Sequence, residues 1–333
     1  MPQRRRGARR RPRLATASSI AEPALFGHLE GCESILIAGA GGGFDIYAGL
    51  PLAHALWRRG QTVHLANLSF TNLALTNAKK LAPPLYEVGP NTKGADEYFP
   101  ERALAQFLAG EELPSTVYTF RRVGVVQLFE AYKVLVDKLA IDAIVLVDGG
   151  TDILMFGDES GLGTPLEDVT SLAAVGQVRI AHRHVACLGF GVDAYHGVCH
   201  ALVLENVAAL ERDGGYHGSF SVSRFTEEGA LYLRAVEHAA ALHREHPSIV
   251  NGSIAAAIDG KFGNVPLSHR TQASELFINP LMGIYFTFDL MDLCKRNQYL
   301  RALVGAPSVI HVQAIIDDHH ASVPHRPHRL IPH

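Results

Sequence analysis

Apolar residues fall along the chain in two alternating patterns, compact runs of five or six and longer stretches at helical spacing. After a short helix predicted over 22–30, residues 34–38 (SILIA) form a run that ends in glycines, the mark of a buried parallel strand. Residues 46–59 return to helical spacing, and 62–66 (TVHLA) predict a second strand. The alternation recurs with an amphipathic helix at 125–139, a strand at 142–147 and a helix beginning at Pro165. A strand at 184–189 (HVACLG) and a helix at 194–212 follow. Strands alternating with helices predict a parallel sheet covered on both faces, an α/β, Rossmann-like three-layer sandwich.

Beyond residue 213 the pattern predicts a strand at 216–222 and helices at 226–243 and 248–258. It then gives an apolar strand at 275–278 and a helix at 288–303, an elaborated C-terminal part. Nothing is assigned between Ser69 and Gly124. There is no internal repeat and no long linker. The expected organisation is a disordered basic tail over 1–20, a single α/β domain over 21–320 and a disordered His/Pro-rich tail over 321–333.

Composition narrows the function classes. At 333 residues the chain can bury a large core, and no apolar run is long enough to cross a bilayer as a helix. Net charge is −3, yet the first fourteen residues carry seven arginines and no acid, so the remainder carries −10. An acidic body lacks the clustered Lys and Arg of a nucleic-acid groove, and no nucleic-acid or membrane partner is expected. Cys32, Cys187, Cys199 and Cys294 have no C-x-x-C spacing. Reduced thiols and a cytoplasmic location are the expectation. The apolar stretch 276–293 is open to two readings, a core segment or a homo-oligomer contact.

The first segment with chemistry in it is Gly39-Ala40-Gly41-Gly42-Gly43-Phe44-Asp45. Glycines between a strand and a helix let backbone amides approach a ligand, and a helix N-terminus favours anions. Gly39, Gly41, Gly42, Gly43 and Asp45 are therefore assigned to ligand binding, with helix capping as the alternative for Asp45. The spacing is close to G-x-G-x-x-G, but Phe44 stands at the third glycine. The second strand leads into Asn67-Leu68-Ser69 instead of the acid that grips a ribose. A nicotinamide dinucleotide, NAD(P), is thus a weaker reading than another polar ligand contacting Asn67 and Ser69.

The second segment runs Asp148-Gly149-Gly150-Thr151-Asp152, then Asp158-Glu159, then Gly161-Leu162-Gly163-Thr164. Four acids within twelve residues repel one another unless a cation, a base or a polyhydroxyl ligand compensates. Asp148, Asp152, Asp158 and Glu159 are the catalytic candidates. Asp148, Asp152 and Asp158 are candidate ligands for Mg²⁺ or Ca²⁺, and Gly149, Gly150 and Thr151 line the site. Thr164-Pro165-Leu166-Glu167 has the form of a capping box, and Asp168 reads as first-turn dipole compensation. Gly191 and Asp193, in the turn after the strand at 184–189, are further ligand candidates. With His196 and His200 at i, i+4, Asp193 gives a weaker transition-metal reading. Asp317-Asp318-His319-His320 reads either as a metal-friendly group or as a helix end, and Lys261 as a turn residue or an anion contact.

Three stretches together resemble the family called domain of unknown function 1152. They are GAGGGFDIYAGLPLAHAL (39–56), VDGGTDILMFGDESGLGTPLEDVTSLAAV (147–175) and LFINPLMGIYFTFDL (276–290). The resemblance runs from about residue 30 to 315. It implies that the glycine turn and the acid-glycine loop form one site, and it implies no catalytic residues. The function expected is an enzyme, a hydrolase or group transferase, acting on a nucleotide-like or other polar small metabolite, phosphorylated or not. An NAD(P)-dependent oxidoreductase and a non-catalytic nucleotide sensor are the alternatives.

Overall fold

The computed structural model describes residues 19–266 and 276–331. The arginine-rich segment, the first residue of the strand expected at 275–278 and the last two residues lie outside them. Helix α1 (Ala24–His28) leads into β1 (Ser34–Gly39), whose side chains are all buried. Gly49 divides the expected helix at 46–59 into α2 (Asp45–Ala48) and α3 (Leu50–Arg58), and β2 (Thr62–Ser69) follows. The unassigned stretch holds β3 (Lys79–Ala82), β4 (Leu85–Val88), α4 (Pro100–Gly110) and β5 (Val117–Arg121). Helix α5 (Val125–Leu139) has the expected bounds, and β6 (Ala143–Asp148) carries the apolar run ending at the first acid.

Helix α6 (Leu166–Gly176) and β7 (His182–Leu188) agree with the pattern. The helix expected at 194–212 is a 3₁₀ turn over Val192–His196, then α7 (His200–Asp213), separated at Gly197 in the left-handed region. His196 and His200 therefore do not share a helix face. Strand β8 (Tyr216–Ser221) and helices α8 (Glu227–Leu242) and α9 (Ile249–Ile258) follow, then β9 (Gly263–Asn264) and β10 (Phe277–Ile278), a two-stranded ladder. Strand β11 (Ile284–Asp289) fills a stretch to which the pattern assigns no element and takes the first two residues of the helix expected at 288–303, the rest of which is divided into α10 (Leu290–Arg296) and α11 (Leu300–Leu303). Helix α12 (Val309–Ser322) contains Asp317 to His320, so that group belongs to a helix end.

The nine-stranded sheet has the order β3-β4-β5-β2-β1-β6-β7-β11-β8. Its five central strands, β5 to β7, are parallel, and antiparallel strands extend both edges. Alternate residues of β1 feed opposite layers: Leu36 and Ala38 pack with α5, α6 and α7, and Ile35 and Ile37 pack with α3, α4 and α8. This is a three-layer α/β sandwich, with β11 placing part of the 276–293 stretch inside it. Among the described residues no helix is long and apolar enough to cross a membrane.

The fold fixes one special position. The chain leaves β1 toward β2 and β5 on one side, and β6 leads to β7 on the other. The strand order thus reverses between β1 and β6, and in open α/β sheets the crevice beyond the strand ends at such a point is where ligands bind.

Candidate functional site

Gly39 pairs with Val147, so the turn after β1 and the turn after β6 leave the sheet side by side. Asp45 joins them. Its Oδ2 accepts the amide of Gly41 at 2.6 Å, and its Oδ1 stands 3.1 Å from where a side chain on Gly149 would begin. A methyl group on Gly41 would fall 2.6 Å from Asp45 Oδ2 and 2.9 Å from Asp168 Oδ2. Gly41 is thus glycine because two carboxylates occupy that space. Gly150 makes the same room for Asp193, and Gly163 for Asp152, with carboxylate oxygens 2.5 and 2.6 Å from the missing Cβ.

The amides of these turns are already used. Ala40 donates to Val147 O, Gly43 to Leu68 O and Thr151 to Asp193 Oδ2. Ile153 donates to Asp148 Oδ2, and Thr164 gives Asp152 both its amide and its hydroxyl. The expected anion cradle is therefore corrected: most of the glycine turn's N–H groups bond protein oxygens. What lines the crevice is a set of carboxyl groups.

Asp45, Asp148 and Asp168 each offer an oxygen within 4.8 Å of the other two. None of Asp45, Asp148, Asp152, Asp168 and Asp193 has a Lys or Arg ion-pair partner among the described residues. Burial pushes the Asp45 carboxyl up to about 8, against the Gly41 amide and with help from Asp152 and Glu167. Burial, then the neighbouring carboxylates, raise Asp148, Asp168 and Asp193 well above the usual range. Asp152 is raised by burial too, with Thr164 opposing. Asp168 Oδ1 and Thr151 Oγ1 are buried with no hydrogen-bond partner. Asp45 is only partly buried, and through it the cluster meets solvent.

All of these acids lie inside residues 36–321, which match the family model described as a protein of unknown function, DUF1152. The chain belongs to the DUF1152 family. No curated protein and no solved structure matches it.

Two of the expected catalytic acids have other partners. Arg326 places Nη2 2.6 Å from both Asp158 Oδ1 and Glu159 Oε1. Glu159 is fully buried and accepts from the amides of Phe156 and Gly157 and from Asn206 Nδ2. Asp158 is thereby removed from the metal set and both acids from the catalytic set, because an arginine neutralises them. Arg326 lies in the segment expected to be a disordered tail, and the chain there is fixed by these bonds.

Asn67 and Ser69 support the turn from beneath. Asn67 Nδ2 donates to Gly43 O and to Glu101 Oε1, and the carboxyl of buried Glu101 is pushed up to about 7 by its burial. Ser69 Oγ accepts from the Thr71 amide. The expected capping box does not form, since the Thr164 hydroxyl bonds Asp152 and Glu167 pairs with Arg122 at 2.5 Å. Gly191, at φ +93°, makes room for His200, its missing Cβ 2.5 Å from Nε2.

Sequence reasoning missed Asp168, Glu101, Phe70, Arg122 and Arg326. Asp168 did carry a signal, since it shares the i, i+4 face of buried Leu172 in α6. Asp168 does sit in the first turn of α6, and its carboxyl also reaches the space beside Gly41. Ser171, on the same helix, donates to Ala40 O at 2.8 Å, and this contact presses the start of α6 onto the glycine turn. At the outer rim the Phe70 ring lies against Gly42 and Gly43, half exposed, with the Arg122 guanidinium 5.9 Å above it.

Proposed function

We propose that this protein is a divalent-cation-dependent enzyme, a hydrolase or group transferase, acting on a nucleotide-like or other phosphorylated, polyhydroxylated metabolite at the β1/β6 crevice. The observation that carries this reading is the group of four buried aspartates and half-buried Asp45, three of the five within 4.8 Å of one another, with no Lys or Arg partner among the described residues. Like charges this close are costly unless a cation or shared protons offset them.

The donor set fits a hard cation. With Ca²⁺–oxygen distances of about 2.3–2.6 Å, opposite ligands stand about 5 Å apart, so three oxygens within 4.8 Å of one another lie inside the span that one Ca²⁺ can bridge. Mg²⁺, with oxygens at about 2.0–2.1 Å, draws the same carboxylates slightly inward. Asp45, Asp148 and Asp168 would hold the ion, which supplies Lewis-acid polarisation of a substrate oxygen and a more acidic bound water. Asp193 and Asp152 are the proton carriers, because burial favours the protonated form of each while the Thr151 amide and the Thr164 donors favour the charged one. Phe70 offers a face for a planar ring, and Arg122 a charge for a phosphate.

The test is thermal unfolding after chelation, with Ca²⁺, Mg²⁺ or Mn²⁺ added alone and with nucleotides or sugar phosphates. Wild type is expected to gain several degrees and Asp168→Asn none. A wild type unmoved by every cation sinks the reading. Saturable NADPH binding that ignores cations would favour the oxidoreductase alternative instead.

A further inference from the structure

A second cluster stands at the other end of the sheet, away from the acids. His182 and His184 open β7, His217 lies on β8, and His28 ends α1. Strands β7 and β8 are not neighbours, because β11 runs between them. Pairing of β11 with β8 slips between Thr287 and Phe288: Thr287 opposes Gly218 and Phe288 opposes Tyr216, which leaves His217 unpaired in a bulge. Bulges re-aim side chains. Here the bulge sends the His217 ring across β11, and its Nε2 reaches His184 Nδ1 at 3.2 Å. The His28 ring centroid lies 4.1 Å from that of His217 and 5.6 Å from that of His184.

We infer that His28, His184 and His217 form a binding site for a nitrogen-preferring divalent transition ion of the Zn²⁺ type, distinct from the aspartate cluster. Ligands on a tetrahedral Zn²⁺ with bonds of about 2.0–2.1 Å stand about 3.3–3.4 Å apart, and the two set nitrogens are separated by nearly that distance. His28 stands farther off: the three rings do not bring their nitrogens all within 4.8 Å of one another, so the set closes only when the His28 ring moves inward. The fourth position falls to water or to His182, whose ring centroid is 6.4 Å from that of His184.

Imidazoles in this donor set select Zn²⁺, Ni²⁺ or Cu²⁺ over Mg²⁺ and Ca²⁺. The rings are in the form that ligates. Burial and the neighbouring imidazoles hold His184 down to about 3 and His217 to about 4, and burial lowers His28, so all three are neutral near pH 7. Asp289 acts on His28 and Asp292 on His217, which puts negative charge within range of a cation. His184 Nε2, the ring nitrogen opposite the one set toward His217, is buried with no partner, which leaves Nδ1 as the nitrogen facing the cluster. His217 also lines a surface cavity of about 330 Å³ with Ala24 and Ser219, a path by which an ion enters.

Calorimetric titration of the chelator-treated full chain with Zn²⁺, and absorption spectroscopy with Co²⁺, test the site. Wild type is expected to bind one Zn²⁺ at this cluster and to give the intense visible bands of tetrahedral, nitrogen-ligated Co²⁺. The double variant His28→Ala/His217→Ala changes two partly exposed rings. It is expected to lose those bands and to weaken Zn²⁺ binding more than about tenfold. Asp168→Asn should keep both signals, which separates this site from the aspartates. Absence of Zn²⁺ binding in wild type overturns the inference. So does Zn²⁺ affinity that survives in the double variant, whether carried by the aspartates or by the C-terminal histidines.

Discussion

At the scale of single residues, the site is decided by what stands within three or four ångströms of each carboxylate. Asp158 and Asp168 are both acids near a glycine-rich loop, yet one meets a guanidinium, and the other stands near further carboxylates with its own Oδ1 lacking a hydrogen-bond partner. Asp168→Asn removes one buried charge without changing shape. It should raise the unfolding temperature of the cation-free protein at alkaline pH while abolishing stabilisation by Ca²⁺ or Mg²⁺. Gly41→Ala tests the same space from the backbone side. Its methyl would meet two carboxylates at 2.6 and 2.9 Å, and overpacking of this kind costs about 1–3 kcal/mol. Circular dichroism should show an intact fold, and cation titration should show a response reduced at least as strongly as in Asp168→Asn.

At the scale of elements, two connections carry the arrangement. The start of α6 delivers Asp168 to the crevice and fastens it with Ser171 on Ala40. The segment after α12 returns across the acid loop, where Arg326 binds Asp158, Glu159 and Asn206 and forms a parallel bridge beside Glu159. Arg326→Ala would leave fully buried Glu159 without its cation. Removing one partner of a buried pair costs about 3–5 kcal/mol, and partial exposure of Arg326 puts the expected loss nearer 2–3 kcal/mol. Urea unfolding measures it, and truncation after Val323 should lose at least as much. Cation affinity at the aspartates should survive both changes, because Asp158 and Glu159 are not among the ligands.

At the scale of the whole molecule, the two clusters make stability depend on pH in opposite senses. The aspartates have folded pKa values raised above their unfolded ones, with Asp45 at about 8. Their contribution is present at low pH and lost as pH rises toward and through 8. His184 and His217 are depressed to about 3 and 4, so their contribution is present above pH about 6.5 and lost as pH falls toward those values. The two effects oppose one another between about pH 4 and 6.5. Above that range the carboxylates act alone. Thermal scans of the chelated protein should therefore show a falling unfolding temperature from pH 6.5 to 9, and saturating Ca²⁺ should flatten or reverse the slope. A rise over that interval without a cation would contradict the buried-acid account.

The sequence by itself determined the parallel centre of the sheet. Runs such as SILIA and AIVLV must be buried on both faces, and α5 shows its helical period and its bounds directly. It also located the glycine turn and the acid loop, because glycines at strand ends and crowded acids are local features. Short edge strands left little pattern: β3 is four residues with two exposed lysines, and the apolar stretch that holds β11 could not be placed until its position between β7 and β8 was known. Only the tertiary structure decided which acids share the site. A carboxylate is a ligand, a base or half of an ion pair according to the donors that surround it, and those donors come from remote parts of the chain. Arg326 reaches Asp158 across 168 residues, and Ser171 reaches Ala40 across 131, separations that no local pattern encodes.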